Sequence, residues 1–260
     1  MRKIQIEIHF KAGKNPIELP IGYNYILQSA IYNSISSELA EFLHNHGFLA
    51  GDRSFKMFCF SRLGGRFRLD RRNKRICFQE GMKLIISSPI DEFCQSLVNT
   101  LLTRGFMRLG EVDTEIERMF AKRVNIKREQ VVMQTLSPVV VYSTFIKPEG
   151  GKFTCYFSPG EPDYCRLISD NLKRKYQALH KEEPPDGNVF IRRLGKYEMN
   201  ITQYKNFIIK GYSGKFLLKG HPQLLQIAID CGLGSKNSQG FGCMEVLEAR
   251  GGEKCGKTEY

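Results

Sequence analysis

Apolar and polar residues alternate from the start of the chain: Ile4, Ile6, Ile8 and Phe10 are separated by Gln5, Glu7 and His9. A period of two puts the apolar set on one face, so the segment reads as a half-buried strand, with His9 on the solvated side. Between residues 23 and 35 the period lengthens. Tyr23, Ile26, Leu27, Ala30, Ile31 and Ile35 fall on one stripe of a helix. A second helical piece, Glu38 to Leu43, ends at His44-Asn45-His46-Gly47. Phe55–Phe60 and Met82–Ile86 read as strands. Ser88-Pro89 has the form of an N-cap followed by proline at the first helical position, opening a helix that buries Ile90, Phe93, Cys94, Leu97, Val98 and Leu101. Strand-like sequence at Glu115–Val124 closes a β-α-β-β-α-β half.

The second half echoes that order. Val139–Phe145 reads as a strand and Glu161–Leu179 as a helix. Strand-like runs follow at Val189–Arg193, Glu198–Ile209 and Lys215–Leu218, then a helix at Pro222–Cys231 and a strand at Phe241–Val246. No residue-level repeat accompanies the echo. The fold class expected is α+β, with a boundary in Val124–Thr135. That divides the chain into 1–125, 126–250 and a polar, glycine-rich tail, 251–260, expected to be disordered.

Composition narrows the partner. The 260 residues are 42% hydrophobic, enough for real cores, and carry a net charge of +12. That excess favours a polyanion, nucleic acid first and an anionic membrane second. No run approaches the ~18 apolar residues of a membrane span, and the alternating N-terminus is not a signal-peptide core. A soluble cytoplasmic protein is expected. Eight cysteines occur without a C-x-x-C pair, which reads as buried reduced thiols, with no metal site and no cofactor expected.

The most distinctive stretch lies between the last helix and the last strand. Gly232, Gly234, Gly240 and Gly242 enclose Lys236, Asn237 and Ser238. Glycine-rich backbone can cradle phosphates. In dinucleotide and P-loop sites, however, the glycines follow a strand and open a helix. Here the direction is reversed, three residues after Gly234 stands Asn237, and no G-x-x-x-x-G-K-S/T exists. A polyanion backbone fits this loop better than a nucleotide cofactor.

Several side chains are candidates for chemistry. Tyr32 projects nearly opposite the apolar stripe of its helix, beside Tyr25 and Gln28, and fits either an exposed amphipathic tyrosine or a working phenol. His44 and His46 flank Asn45 at a helix end. Histidine titrates near neutrality, and a dipole-favoured surface histidine is the plainer reading. Lys56 shares a strand face with Phe58 and Phe60, suggesting an edge strand or a functional cation. Arg62, Arg66, Arg68, Arg71, Arg72, Lys74 and Arg75 are seven cations within fourteen residues, opposed only by Asp70. With Gly64 and Gly65 they read as a backbone-binding hairpin or loop. Lys122, Arg123, Lys127 and Arg128 form a second cluster. Lys173-Arg174-Lys175 and Arg192-Arg193 are weaker ones.

Five blocks stand in an order that resembles a known family: Leu27-Gln-Ser-Ala-Ile-Tyr-Asn33; Leu43-His44 with Gly47-Phe48; Phe55–Ser61; Thr135-Leu-Ser-Pro-Val139; and the glycine loop ending Gln239-Gly-Phe-Gly242. Together they resemble the Cas six family of CRISPR-associated endoribonucleases, of which the terminal loop is the most distinctive mark. The resemblance implies two tandem ferredoxin-like domains packed side by side, with repeat RNA crossing the cleft between them. It implies metal-independent cleavage of CRISPR repeat transcripts into guide RNAs for antiviral defence. His44 would be the acid/base histidine, with Tyr32 and Lys56 completing a triad and His46 a neighbouring alternative. The implied partners are repeat RNA and other CRISPR-associated proteins of an interference complex, with the protein a monomer or homodimer. The implied chemistry is attack by the substrate's own 2′-hydroxyl, leaving a 2′,3′-cyclic phosphate and a 5′-hydroxyl. The arginine stretch would clamp RNA, and the glycine loop, with Lys236, would hold its backbone. A non-cleaving subunit of the same architecture, holding processed guide RNA, is the alternative. One geometric condition follows. Tyr32 and His44 are twelve residues apart, roughly 18 Å along an unbroken helix, so the chain must bend between them, at Ser34, Ser36 and Ser37.

Overall fold

The computed structural model describes residues 4–11, 16–205, 207–247 and 258–259. The alternating N-terminus becomes β1 (Ile4–Phe10), an inner strand of an antiparallel sheet. The first half continues with β2 (Ile17–Pro20), α1 (Asn24–Tyr32), α2 (Ser37–Asn45), β3 (Phe48–Ala50), β4 (Arg53–Phe55), β5 (Cys59–Phe60), β6 (Phe67–Asp70), β7 (Arg75–Phe78), β8 (Met82–Ser88), α3 (Asp91–Arg104), β9 (Phe106–Leu109) and β10 (Val112–Arg123). β1 pairs with β10 on one side and β8 on the other, so Ile6 stands between Ala121 and Ile86. The order β10-β1-β8-β5 is that of a ferredoxin-like βαββαβ sheet. The helices cover one face: Leu27, Ile31, Leu39, Phe93 and Leu97 pack on Ile6, Ile8, Leu84 and Ile86, all buried. That burial is the apolar stripe of α1 meeting the apolar face of β1, each fully buried side chain contributing about 1.5–3 kcal/mol.

The second half runs β11 (Gln130–Thr135), β12 (Tyr142–Ile146), β13 (Lys152–Tyr156), α4 (Pro162–His180), β14 (Phe190–Tyr204), β15 (Phe207–Lys219), α5 (Pro222–Asp230) and β16 (Met244–Leu247). Its sheet, β14-β15-β11-β16, repeats the topology. Met133, Phe216 and Leu218 of the sheet bury against Ile168 and Leu172 of α4 and Leu224 and Ala228 of α5. The halves are joined through buried polar contacts. Gln5 donates to Met244 O (2.9 Å), Ser87 to Ile229 O (2.9 Å) and Ser137 to Phe60 O (3.0 Å). The polar side of β1 and β8 is thus partly an interface between halves. No described helix is long and apolar enough to cross a membrane.

Several expectations need correction. Phe55–Phe60 is not one strand: residues 56–58 break it, with Met57 at φ 52°. The α3 helix starts at Asp91, with no side-chain cap. Ser88 instead donates to Met57 O and accepts from Ile90 N, holding the broken segment in place. A strand not read from the sequence, β11, begins the second half and pairs with both β15 and β16. Val139 and Val140 make only isolated bridges before β12. β14 and β15 form one long hairpin where three shorter runs were read. His9 is half-buried, its Nε2 2.6 Å from Glu7 Oε1 and its ring edge-on to Phe120. Of the tail expected to be disordered, residues 251–257 and 260 lie outside the described residues, while 258–259 pair with β10.

Candidate functional site

The chain does bend between Tyr32 and His44. α1 ends at Tyr32, Ser34 Oγ donates back to Ala30 O (2.7 Å), and Ser36 caps α2 by accepting from Leu39 N. The two helices fold so that the Tyr32 and His44 rings lie edge to face, centroids 6.3 Å apart. Tyr32 also packs edge-on against Phe58, at 5.6 Å. It is half-buried, and burial, reinforced by Tyr204, pushes its pKa up to about 12. The phenol therefore stays protonated through the neutral range.

Lys56 approaches His44 from the segment after β4. Its Nζ donates to His44 O (3.1 Å) and Ser54 Oγ (3.3 Å). The turn at Met57 sends Phe58 and Phe60 into the core while Lys56 stays half-buried beside the cleft. Burial lowers the Lys56 pKa. The approach of α2 to β4 requires Gly47, at φ 70°. A Cβ there would lie 2.7 Å from Phe55 O and 2.8 Å from Ser54 Oγ. His44 is exposed, its Nδ1 2.9 Å from Asn45 Oδ1. His46 turns instead to Phe42, centroids 6.5 Å apart.

Lys56, and Phe58 on which Tyr32 packs, line a cleft of about 540 Å³ together with Arg53, Tyr142, Ser235, Lys236 and Ser238. The glycine loop forms one wall, but the glycines themselves are inside. Gly232, Gly234, Gly240 and Gly242 are buried at positive φ, and a Cβ at Gly242 would stand 1.9 Å from Leu233 O. Backbone donors of the loop are used internally: Leu233 N to Gly242 O, Ser235 N to Val140 O and Gly242 N to Pro138 O, each 2.8 Å. Asn237 is 9% exposed and donates to Leu233 O and Phe241 O. The parts left open to a ligand are Ser235, Lys236, Ser238 and Gln239. Lys236, at φ 61°, places its Nζ 5.1 Å from the Tyr142 ring centroid.

Residues 120–246 match the family described as CRISPR associated protein Cas6, C-terminal, and residues 18–120 match CRISPR-associated protein Cas6, N-terminal. The chain belongs to the Cas6 family. It is 33% identical over 249 residues to CRISPR-associated endoribonuclease Cas6 1 of Methanocaldococcus jannaschii, covering 94% of this chain and 93% of that one. It is 28% identical over 248 residues to CRISPR-associated endoribonuclease Cas6 of Pyrococcus furiosus, covering 88% and 84%. A solved CRISPR associated protein Cas6 superposes with TM-score 0.76 at 29% identity, over 95% of this chain and all of that one. A structure described as an RAMP protein binding different RNA substrates superposes with TM-score 0.78 at 22% identity, over 95% of this chain and all of that one, and shows the shared fold.

The arginine stretch of this Cas6 chain is a hairpin, β6-β7, widened to three strands by β2. Arg66, Arg68, Arg71 and Arg72 are exposed on it, Arg66 pairing with Glu80 at 2.9 Å. Asp70 organises the turn by accepting from Asn73, which lowers its carboxyl pKa. Arg62, Lys74 and Lys205 line a second cleft, of about 600 Å³, at the N-terminal end of α1. Burial lowers the pKa of Arg62. Sequence reasoning passed over one residue at the site and misplaced another. Tyr204 donates from β14 to Gln28 Oε1 on α1, and only the pairing of the halves reveals it. Lys175, read as part of a weaker cationic cluster, is 2% exposed. Its signal was periodicity: it stands with Tyr164, Ile168, Leu172 and Tyr176 on the buried stripe of α4. An ammonium in such a place costs on the order of several kcal/mol unless its hydrogens are satisfied.

Proposed function

We propose that the protein is an endoribonuclease that cuts CRISPR repeat transcripts without a metal ion. The observation that carries this reading is that Tyr32 of α1 and His44 of α2 meet ring to ring while Lys56, from the segment after β4, reaches the His44 carbonyl from a basic cleft. In the reaction the 2′-oxygen bonds to the adjacent phosphorus and the P–O5′ bond breaks. A base takes the 2′ proton and an acid protonates the departing 5′-oxygen. The products are a 2′,3′-cyclic phosphate and a 5′-hydroxyl. His44, solvent-exposed and edge-on to Tyr32, moves a proton. Tyr32, held neutral, is unsuited to base catalysis and orients the 2′-hydroxyl or a phosphate oxygen by hydrogen bonding. Lys56 exchanges the His44 carbonyl for the phosphorane, where charge builds up. Lys236 and Ser238 hold backbone across the cleft, and Arg68, Arg71 and Arg72 grip the flanking strand or stem.

The names of the relatives, both CRISPR-associated endoribonucleases, support the activity, and the turning of His46 toward Phe42 supports His44 as the acid/base. The test is His44→Ala with repeat RNA. Loss of cleavage by a factor of about 10² or more, with binding retained, is expected. Cleavage at the wild-type rate would remove His44 from the mechanism. A wild-type protein that binds without cutting would return the reading to a guide-holding subunit.

A further inference from the structure

Among the buried groups that the cleavage scheme does not use, one lysine has all three hydrogen-bond partners in the loop that faces the cleft. Lys175 Nζ lies 2.7 Å from Gly232 O, 2.9 Å from Gly234 O and 2.7 Å from Asn237 Oδ1. We infer that Lys175 is a positioning residue for RNA binding: from beneath the glycine loop it fixes residues 232–237, so that Lys236 and Ser238 meet the RNA backbone already in place. The inference rests on the RNA-cleaving reading above.

The loop is anchored from both halves of the molecule. From below, α4 supplies Lys175. From the first half, Asn24 Nδ2 at the start of α1 donates to Gln239 O (2.9 Å) and Gly240 O (3.3 Å). Gly240 also sits against the Phe60 ring, where a Cβ would come within 2.6 Å of Cε2. Between these anchors the chain turns through Lys236 in the left-handed region, an uncommon conformation for a residue with a side chain. Three acceptors suit the three hydrogens of an ammonium. Without it, two buried carbonyls and the Asn237 amide oxygen lose their donor, and the loop can satisfy them only by opening toward water. Lys175 is too deeply enclosed to touch the RNA itself, since only 2% of it is exposed. It acts through the loop, by reducing the ordering that RNA would otherwise have to impose on Lys236.

A double-mutant cycle tests this. In a His44→Ala background, so that RNA stays whole, binding of the repeat RNA transcribed from the source genome's own CRISPR array is measured for Lys175→Met, Lys236→Ala and both together. Lys175→Met and Lys236→Ala are each expected to weaken binding about tenfold, and the pair only slightly more than either, because both remove the same contact. In the protein with His44 intact, Lys175→Met is expected to raise the concentration needed for half-maximal single-turnover cleavage about tenfold while leaving the saturated rate within about threefold. Lys175→Gln, one atom shorter and with two hydrogens for three acceptors, carries the same cycle if the Met protein does not fold. Full additivity of the two losses, or unchanged binding by the folded variant, would overturn the positioning role. Wild-type protein that binds no repeat RNA would overturn the underlying reading, and the positioning role with it.

Discussion

Tyr32 closes α1 with its ring against Phe58 and His44, and burial raises its pKa to about 12. Its ordinary value is 10.0, so the folded protein holds the proton more tightly than the unfolded chain. The stability this gives is complete below pH 10 and lost as pH rises through about 12. Accordingly, the rate of RNA cleavage should show no alkaline limb assignable to Tyr32 below about pH 11, which comparison of wild-type and Tyr32→Phe pH profiles checks. Tyr32→Phe itself should slow cleavage about ten- to a hundredfold by removing one hydrogen bond to a charged group, worth about 1.5–3 kcal/mol. At this scale the helical period placed Tyr32 opposite the apolar stripe, whereas the end of α1 turns its ring onto the core beside Phe58. The sequence also misled about Lys56. Alternation put Lys56 on the same face as Phe58 and Phe60, whereas the left-handed turn at Met57 separates them. That turn depends on Ser88, distant in sequence, and local pattern cannot carry it.

The elements around the site are fastened where the chain lacks side chains. At Gly242, φ 71° and 1.9 Å from a would-be Cβ to Leu233 O leave no room for alanine. Gly242→Ala should destabilise the protein by about 3 kcal/mol or more, read as a fall in thermal midpoint. The glycine loop was legible as a motif, but its burial was not. Four glycines suggest an open cradle, and only the fold shows them pressed against Phe60, Val140 and Leu233. Lys175 beneath the loop gives a pH signature. Burial lowers its pKa from 10.5 to about 8. Over that window the unfolded chain binds the proton more tightly, so this group's contribution is complete above 10.5 and is lost as pH falls through about 8. The difference in unfolding free energy between wild type and Lys175→Met should therefore shift in favour of the wild type as pH rises from 8 to 10. A difference independent of pH would contradict a buried, titrating ammonium. The β11 strand was missed for another reason. Gln130–Thr135 has only a short apolar run next to a basic cluster, and its identity comes from pairing with β15 and β16.

As a whole, the molecule joins two βαββαβ sheets through buried hydrogen bonds and carries a net charge of +12. The duplication could be read from element order, whereas the face along which the halves meet could not. Gln5 and Ser87 look like solvated positions until the second half covers them. Charge spread over the β6-β7 hairpin and the cleft makes affinity depend on salt. Each phosphate contact with single-stranded RNA contributes about 0.7 to the slope of log affinity against log salt. Replacing Arg71 and Arg72 together by alanine should flatten that slope by about 1.4 if both touch phosphates, and an unchanged slope would take the hairpin turn out of the RNA path. The proposed reaction is a proton transfer by His44 during attack of a sugar oxygen on its own phosphate. Its most direct test is chemical identification of the ends produced when purified protein cuts repeat RNA in the presence of EDTA. A 2′,3′-cyclic phosphate facing a 5′-hydroxyl, formed by wild type and absent with His44→Ala, is the predicted result. A 3′-hydroxyl facing a 5′-phosphate, or cleavage abolished by the chelator, would contradict it.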